Sequence, residues 1–347
     1  MVNKTIKRPK PNILFVGPTL GSNVGFTPSP VEALIPLLKK RGYLCMTTSK
    51  KIDRIQRLFD MLSCIIKTRK WSEIICLQVY AYRSFVVEDI VSWVAKRFNK
   101  KIIMVLHYGD FPNFLRIFPK WSKRVLQRAD QIITPSQYLQ NAVQGFGFSA
   151  KVIPNIILIQ KYPFRHRDFV KPSIIWMRSF FRYYNPTLAL DAFNLVKEQY
   201  PDAELTMAGS NKGLEKTTKE YAYKIGLTDS VKFPGFLSMN SKQAEFSKHD
   251  IYLNTTKIDN MPISILEAAA FGLPIVSTNV GGIPYILQDE KNALLVPSNN
   301  PDAIAKAIKR IIEEPGLACR LSLAGRQLAE SCGPDFVIPL WEEVLSK

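Results

Sequence analysis

DNMPISILEAAAFGLPIVSTNVGGIPYILQDEKNALLVP, residues 259–297, follows the short apolar run DIYLNTT at 250–256. Pro262 near its start, the Ala-rich centre and Gly272 followed by Pro274 bound a helix of about ten residues, since proline suits a first turn and glycine a helix end. The stretch PIVSTN from Pro274 reads as the next strand, so the segment is strand, helix, strand. The helix begins at the carboxyl edge of DIYLNTT, where the N–H groups of Met261, Ile263 and Ser264 and the helix dipole suit a diphosphate or a sugar hydroxyl. Asp259 precedes this helix and Glu267 lies within it, so both are able to face one ligand; a surface Asp and a helix-forming Glu give the same spacing.

The same alternation runs outward in both directions. ILFVG (from Ile13), YLCMTT (Tyr43), EIICLQV (Glu73), KIIMVLH (Lys101), QIITPS (Gln131) and KVIPN (Lys151) are strand candidates in the first half. SIIWM (Ser173), ELTMAG (Glu204), VKFPG (Val231), DIYLNTT, PIVSTN and ALLVP (Ala293) are their counterparts in the second. Short apolar runs separated by amphipathic stretches imply two successive α/β, doubly wound domains that bind ligands at the carboxyl ends of their strands, with a cleft expected between them. We expect an N-terminal domain over 1–160, a linker over Ile159–Lys171, a C-terminal domain over 172–333 and a terminal helix over 334–347. That helix sets Phe336, Val337, Leu340, Trp341 and Leu345 on one side and is expected to pack back on the N-terminal domain.

Composition agrees with a folded two-domain chain: 347 residues, 46% apolar and 22% charged. The net charge of +18 calls for an anionic partner. Residues 1–171 hold 29 Lys and Arg against 9 Asp and Glu, a net of +20, whereas 172–347 have a net of −2. The five cysteines have no zinc or CxxC spacing, and with no secretory h-region at the N-terminus they fit a reducing compartment. No apolar run reaches the roughly 20 residues of a membrane span.

The residues from Asp259 resemble the E-x7-E signature of the family 4 retaining glycosyltransferases, here as D-x7-E, with the family's AxGxPxVxTxxGGxxxxL continuation. VGPTLGSNVGF (16–26), LHYGDFP around His107, RADQIITPSQYL and VIPN ending at Asn155 extend the resemblance over most of the chain. It implies the GT-B fold, two Rossmann-like domains facing each other. It also implies transfer of a sugar from a nucleotide-sugar donor, with retained anomeric configuration, to a glycan or lipid-linked acceptor in the N-terminal domain. By the family's pattern, Asp259 contacts the donor sugar; Met261, Pro262, Ile263 and Ser264 hold sugar and phosphate; Glu267 binds the ribose. His107 contacts the sugar, and Gly25 lets the backbone approach the diphosphate. Arg178 takes the first position of the family's Arg and Lys diphosphate clamp. Tyr183 stands where the Lys belongs, and Arg182 beside it is the candidate replacement. No resident cofactor or metal is expected: DxD, HExxH, GxSxG and the P-loop GxxxxGKS/T are all missing from the sequence.

Two segments carry the basic excess. KKIDRIQRLFDMLSCIIKTRKW (50–71) sets Ile52, Ile55, Leu58, Phe59, Leu62, Ile65 and Ile66 on one helical stripe ringed by Lys and Arg, the pattern of a membrane-surface helix or of a crossover helix with a solvated face. FPNFLRIFPKWSKRVLQRAD (111–130) mixes aromatics with Arg116, Lys120, Lys123, Arg124 and Arg128. An anionic membrane surface is the expected partner, placing the enzyme peripherally on the cytoplasmic face. The alternatives are a degenerate relative that binds nucleotide sugar or acts as a scaffold, and a basic nucleic-acid binder; no nucleic-acid recognition motif supports the latter.

Overall fold

The structure, a computed structural model, describes residues 9–346 except 22, 24 and 27. The first six strands are β1 (Ile13–Val16), β2 (Cys45–Thr47), β3 (Ile74–Val79), β4 (Lys101–Leu106), β5 (Gln131–Thr134) and β6 (Lys151–Val152). Helices α1 (Pro30–Lys40), α2 (Arg54–Thr68), α3 (Phe85–Arg97), α4 (Phe111–Ile117), α5 (Pro119–Leu126) and α6 (Gln137–Gln144) fall between them. These strands form one parallel sheet in the order β2-β1-β3-β4-β5-β6. Every residue of β1 and β3 is buried, as a parallel sheet covered on both faces requires.

The second sheet consists of β7 (Ser173–Met177), β8 (Glu204–Ala208), β9 (Val231–Gly235), β10 (Ile251–Asn254), β11 (Ile275–Thr278) and β12 (Leu294–Val296). Its helices are α7 (Pro186–Gln199), α8 (Glu215–Lys224), α9 (Met239–Lys248), α10 (Ile263–Phe271), α11 (Pro301–Glu313) and α12 (Leu317–Ser331). All its neighbours are parallel, in the order β12-β11-β10-β7-β8-β9. All twelve strand candidates are therefore strands, and the α/β class of two doubly wound sheets holds. Among the described residues no helix is long and apolar enough to cross a membrane.

The chain separates into two compact units. The first runs up to Pro135, adds Leu139–Ile156 and ends with the segment from Pro334; the second holds Ser136–Tyr138 and Ile157–Gly333. The terminal helix α13 (Pro334–Ser346) places Val337, Ile338, Trp341, Val344 and Leu345 in the core of the first unit beside Ile13, Phe15 and Leu34. Phe336, expected on that buried side, is 61% exposed.

Two expectations are corrected. Residues 159–171 do not form a loose linker, because the segment is fixed to the second unit. Tyr162 joins the core around α10, and Arg167, 1% exposed, donates to the carbonyls of Phe271 and His249. The apolar stripe of 52–66 is not one uniformly buried face either. Met61 and Ile65 are buried, whereas Ile52, Ile55, Phe59 and Ile66 are exposed at 57, 67, 66 and 45%. Asp53 caps α2 through the amides of Ile55 and Gln56, leaving Ile52 ahead of the helix.

Candidate functional site

In the second unit β7 pairs with β8 on one side and with β10 on the other. The strand order reverses there, and loops leaving adjacent carboxyl ends diverge and open a crevice. Arg178 is the first residue after β7, and the loop carrying Asp259 leaves β10. Residues far apart in sequence thus meet at the switch point. Arg178 donates from one terminal nitrogen to the Asp259 carboxylate and from the other to Ser264 Oγ at 2.8 Å. Its guanidinium also lies 3.9 Å from the Tyr184 ring centre. Burial disfavours the arginine's charge most, but the Asp259 carboxylate, together with Tyr184 and Tyr252, holds the guanidinium well above its ordinary range.

Helix α10 starts at Ile263, with the extended Pro262 as its N-cap, one residue ahead of the first turn expected for it. Ile265 N–H turns back to Pro262 O at 3.2 Å, while the amides of Ile263 and Ser264 belong to the first turn and have no helical acceptor. Met261 is buried just before them. Asp259 Oδ1 accepts from the Asn260 amide at 2.8 Å. The glycine pair Gly281 and Gly282 explains how this loop is shaped. Gly282 N–H donates to Asp259 O at 2.9 Å, and a Cβ at either glycine would overlap the Asp259 or Asn260 carbonyl.

Glu267, on the next turns of α10, is 5% exposed. Lys242 from α9 donates to both its oxygens, at 2.8 and 2.9 Å, and Tyr162 O–H donates to Oε1 at 3.2 Å. A carboxylate offers about four lone-pair positions, so this arrangement leaves one on Oε2. Burial and the neighbouring Glu267 push the Tyr162 phenol upward. Tyr184, Lys242 and Tyr162 were not singled out from the sequence. Lys242 and Tyr162 lie on other elements, and only the fold brings them to Glu267; the doublet Tyr183 and Tyr184 beside Arg178 was the one local signal.

Arg182 does not join this group. It is exposed in a 3-10 turn, lies over the Tyr183 ring at 4.9 Å and donates to the Tyr183 hydroxyl at 3.2 Å. The Tyr183 carbonyl accepts from Lys257 N–H at 2.7 Å, which ties the turn to the loop after β10.

The first unit carries the remaining expected residues. Its own order reverses at β1, which pairs with β2 and β3. Gly25, in the loop after β1, has φ +81, a conformation that a side chain would strain. Gly21 N–H in the same loop donates to Glu32 of α1 at 3.1 Å. His107 directly follows β4, shares a hydrogen bond with Gln78 through Nε2 and stacks on Tyr80, ring centres 5.5 Å apart. The amide oxygen only accepts, so Nε2 carries the proton and Nδ1 remains an acceptor. Burial pushes the imidazole down to about 4, keeping it neutral at pH 7. The tyrosine's amide is held at 3.2 Å by Glu88, whose carboxyl burial pushes up to about 8.

Residues 161–328 match the family model "Glycosyl transferases group 1", and residues 85–161 match "Glycosyltransferase Family 4". An uncharacterized glycosyltransferase of Haemophilus influenzae is 27% identical over 174 residues, 50% of this chain and 48% of its own. A GDP-mannose-dependent alpha-(1-6)-phosphatidylinositol monomannoside mannosyltransferase of Mycobacterium tuberculosis is 24% identical over 170 residues, 47% of this chain and 44% of its own. The chain thus spans about half the length of the curated relatives it matches. Among solved structures, sucrose-phosphate synthase of Thermosynechococcus elongatus is similar with a TM-score of 0.80 at 14% identity, covering 96% of this chain and 98% of that one. Anabaena HepE in complex with UDP and glucose has a TM-score of 0.75 at 17% identity, covering 97% and 99%. These likenesses are of fold, the GT-B arrangement of two six-stranded parallel sheets. The two family models meet at residue 161 and together run from residue 85 to residue 328, and over that stretch the chain matches the family 4, group 1 glycosyltransferases.

Proposed function

We propose that this protein is a retaining glycosyltransferase that moves a sugar from a nucleoside-diphosphate donor to a glycan or lipid-linked acceptor at the cytoplasmic face of a membrane. The observation that carries the reading is the group at the second unit's switch point: Arg178, Asp259, Ser264 and the open first turn of α10, with Glu267 buried a turn further on. A guanidinium has five N–H donors, and those not directed at Asp259 and Ser264 are available to phosphate oxygens. As the donor bond breaks, charge grows on the leaving diphosphate, and donors already oriented there stabilise it without reorganisation. The spare lone pair of Glu267 Oε2 accepts from a ribose hydroxyl. Asp259 receives a sugar hydroxyl while it orients Arg178. No protein nucleophile is assigned, and attack from the face the leaving phosphate vacates retains configuration.

Two relatives indicate the class of donor, since one is named for GDP-mannose and another was solved with UDP and glucose. The membrane part of the reading rests on the exposed apolar positions Ile52, Ile55, Phe59 and Ile66, set among the Lys and Arg of 50–70. Each basic residue near an anionic leaflet contributes about 1 kcal/mol. No cofactor or metal is assigned a part. A second reading, a nucleotide-sugar-binding relative without turnover, is favoured by one observation: Arg182 does not replace the missing Lys at position 183.

Assay of radiolabelled UDP- and GDP-sugars with lipid-linked and free saccharide acceptors separates the two readings. Turnover that falls at least about 100-fold in Arg178→Ala supports the enzyme. Equal background rates in wild type and variant would sink it.

A further inference from the structure

Outside the group described above, three chemistry-bearing side chains of the second unit converge. Asp168 Oδ1 lies 3.2 Å from His166 Nδ1, and His166 Nε2 lies 3.2 Å from Cys319 Sγ. The arrangement is built rather than incidental to a mobile surface. Arg167 between the two strap residues points inward and donates to the carbonyls of Phe271 and His249, so His166 and Asp168, its neighbours on either side, turn outward. Cys319 is the third residue of α12, in the first turn, where free amides and the helix dipole favour an anion.

We propose that Cys319, His166 and Asp168 form a thiol, imidazole and carboxylate relay, and that Cys319 is a modification site for low-molecular-weight disulfides. Asp168 accepts from Nδ1–H and so fixes the tautomer whose Nε2 lone pair faces the thiol. His166 takes the S–H proton, and the sulfur attacks one sulfur of the disulfide. The new S–S bond forms as the old one breaks, and the departing thiolate takes the proton from the imidazolium. One disulfide becomes one mixed disulfide and one thiol, and no further oxidant is required. A metal centre is the weaker use of the same residues. The ligand atoms of His166, Asp168 and Cys319 lie within 4.8 Å of one another, one short of a tetrahedral zinc set, and the imidazole and carboxylate already engage each other through Nδ1.

The other four thiols provide the internal contrast. Burial pushes Cys45 and Cys332 up to about 11 and also raises Cys64 and Cys76. Cys319 is half-buried and reachable from solvent.

The test is the reaction of the folded chain with a neutral dipyridyl disulfide at pH 7, followed by pyridinethione release and by mass mapping of the modified residue. The same chain unfolded in urea serves as reference. The expected result is one fast equivalent, on Cys319, on the order of tenfold faster than that thiol in the unfolded chain, and lost in Cys319→Ser. His166→Gln should slow this phase about tenfold and Asp168→Asn severalfold, with circular dichroism unchanged. Asp168 is exposed, so its variant keeps the fold and leaves the test intact if His166→Gln unfolds. A Cys319 that reacts no faster folded than unfolded, or at the wild-type rate in both variants, would overturn the relay.

Discussion

Arg178 is the side chain on which the proposed donor site turns. It is nearly enclosed, at 8% side-chain exposure, and is neutralised by Asp259 at 16%. Removing one member of such a pair strands the other, which costs about 3–5 kcal/mol. Arg178→Ala should therefore lose stability as well as turnover, and Arg178→Lys should recover part of the stability but little of the rate, since a point charge does not replace the fork. Chemical denaturation beside the transfer assay reads both. Glu267 presents the same problem with Lys242, so Glu267→Gln rather than Glu267→Ala is the informative change. It should weaken nucleoside-diphosphate binding about tenfold while lowering the thermal midpoint less than the alanine does. His107 contributes through its pH profile. Because its imidazole stays neutral down to about pH 4, no activity step belonging to it should appear between pH 5 and 8, and a rate limb near 6.5 that vanishes in His107→Gln would contradict that placement.

At the scale of elements, the sequence was most legible where a local rule sufficed. Short apolar runs located the strands, and Pro262 with Gly272 bounded α10 to within a residue, because caps and strand pattern are properties of neighbouring residues. Partnerships across the fold were not legible. The contact of Glu267 with Lys242 joins α10 to α9, and Tyr162 reaches the same carboxylate from a segment whose charge made it read as a linker. The inward turn of Arg167 also escaped that reading, since composition gives a charged residue no reason to be buried until backbone carbonyls are there to receive it. On α2 a single periodicity concealed two surfaces, one against the sheet and one facing out. The outward one yields a prediction: Ile55→Ser with Phe59→Ser should leave stability within about 0.5 kcal/mol per site, because neither side chain is packed. The same pair should lower retention on vesicles containing anionic lipid, measured by co-sedimentation. Undiminished retention would remove α2 from the membrane reading.

The whole chain divides its charge as it divides its structure. Of the +20 of residues 1–171, +17 lies in the first unit, while the proposed donor group sits in a stretch of net −2, so phosphate binding there depends on a few oriented donors rather than on a general field. Stability should depend on pH through buried groups in the first unit. Glu88, raised to about 8, binds a proton in the folded state that the unfolded chain has released above about 4.5, so its stabilising contribution is full below that pH and is lost as pH rises through 8. His107, lowered to about 4, acts in the opposite sense, and its contribution is lost as pH falls from about 6.5 toward 4. Glu88→Gln should therefore flatten the loss of thermal midpoint between pH 6 and 9, and an unchanged slope would place the titration elsewhere.

The central claim is that the switch-point group of the second unit holds the diphosphate of a nucleotide sugar. Isothermal titration of UDP and GDP into the wild type, Arg178→Ala and Glu267→Gln, each confirmed folded by circular dichroism, measures it directly. The wild type should bind at least one nucleotide saturably, and both variants should bind it at least about tenfold more weakly. Binding of equal strength in all three proteins, or none in the wild type, would contradict the claim.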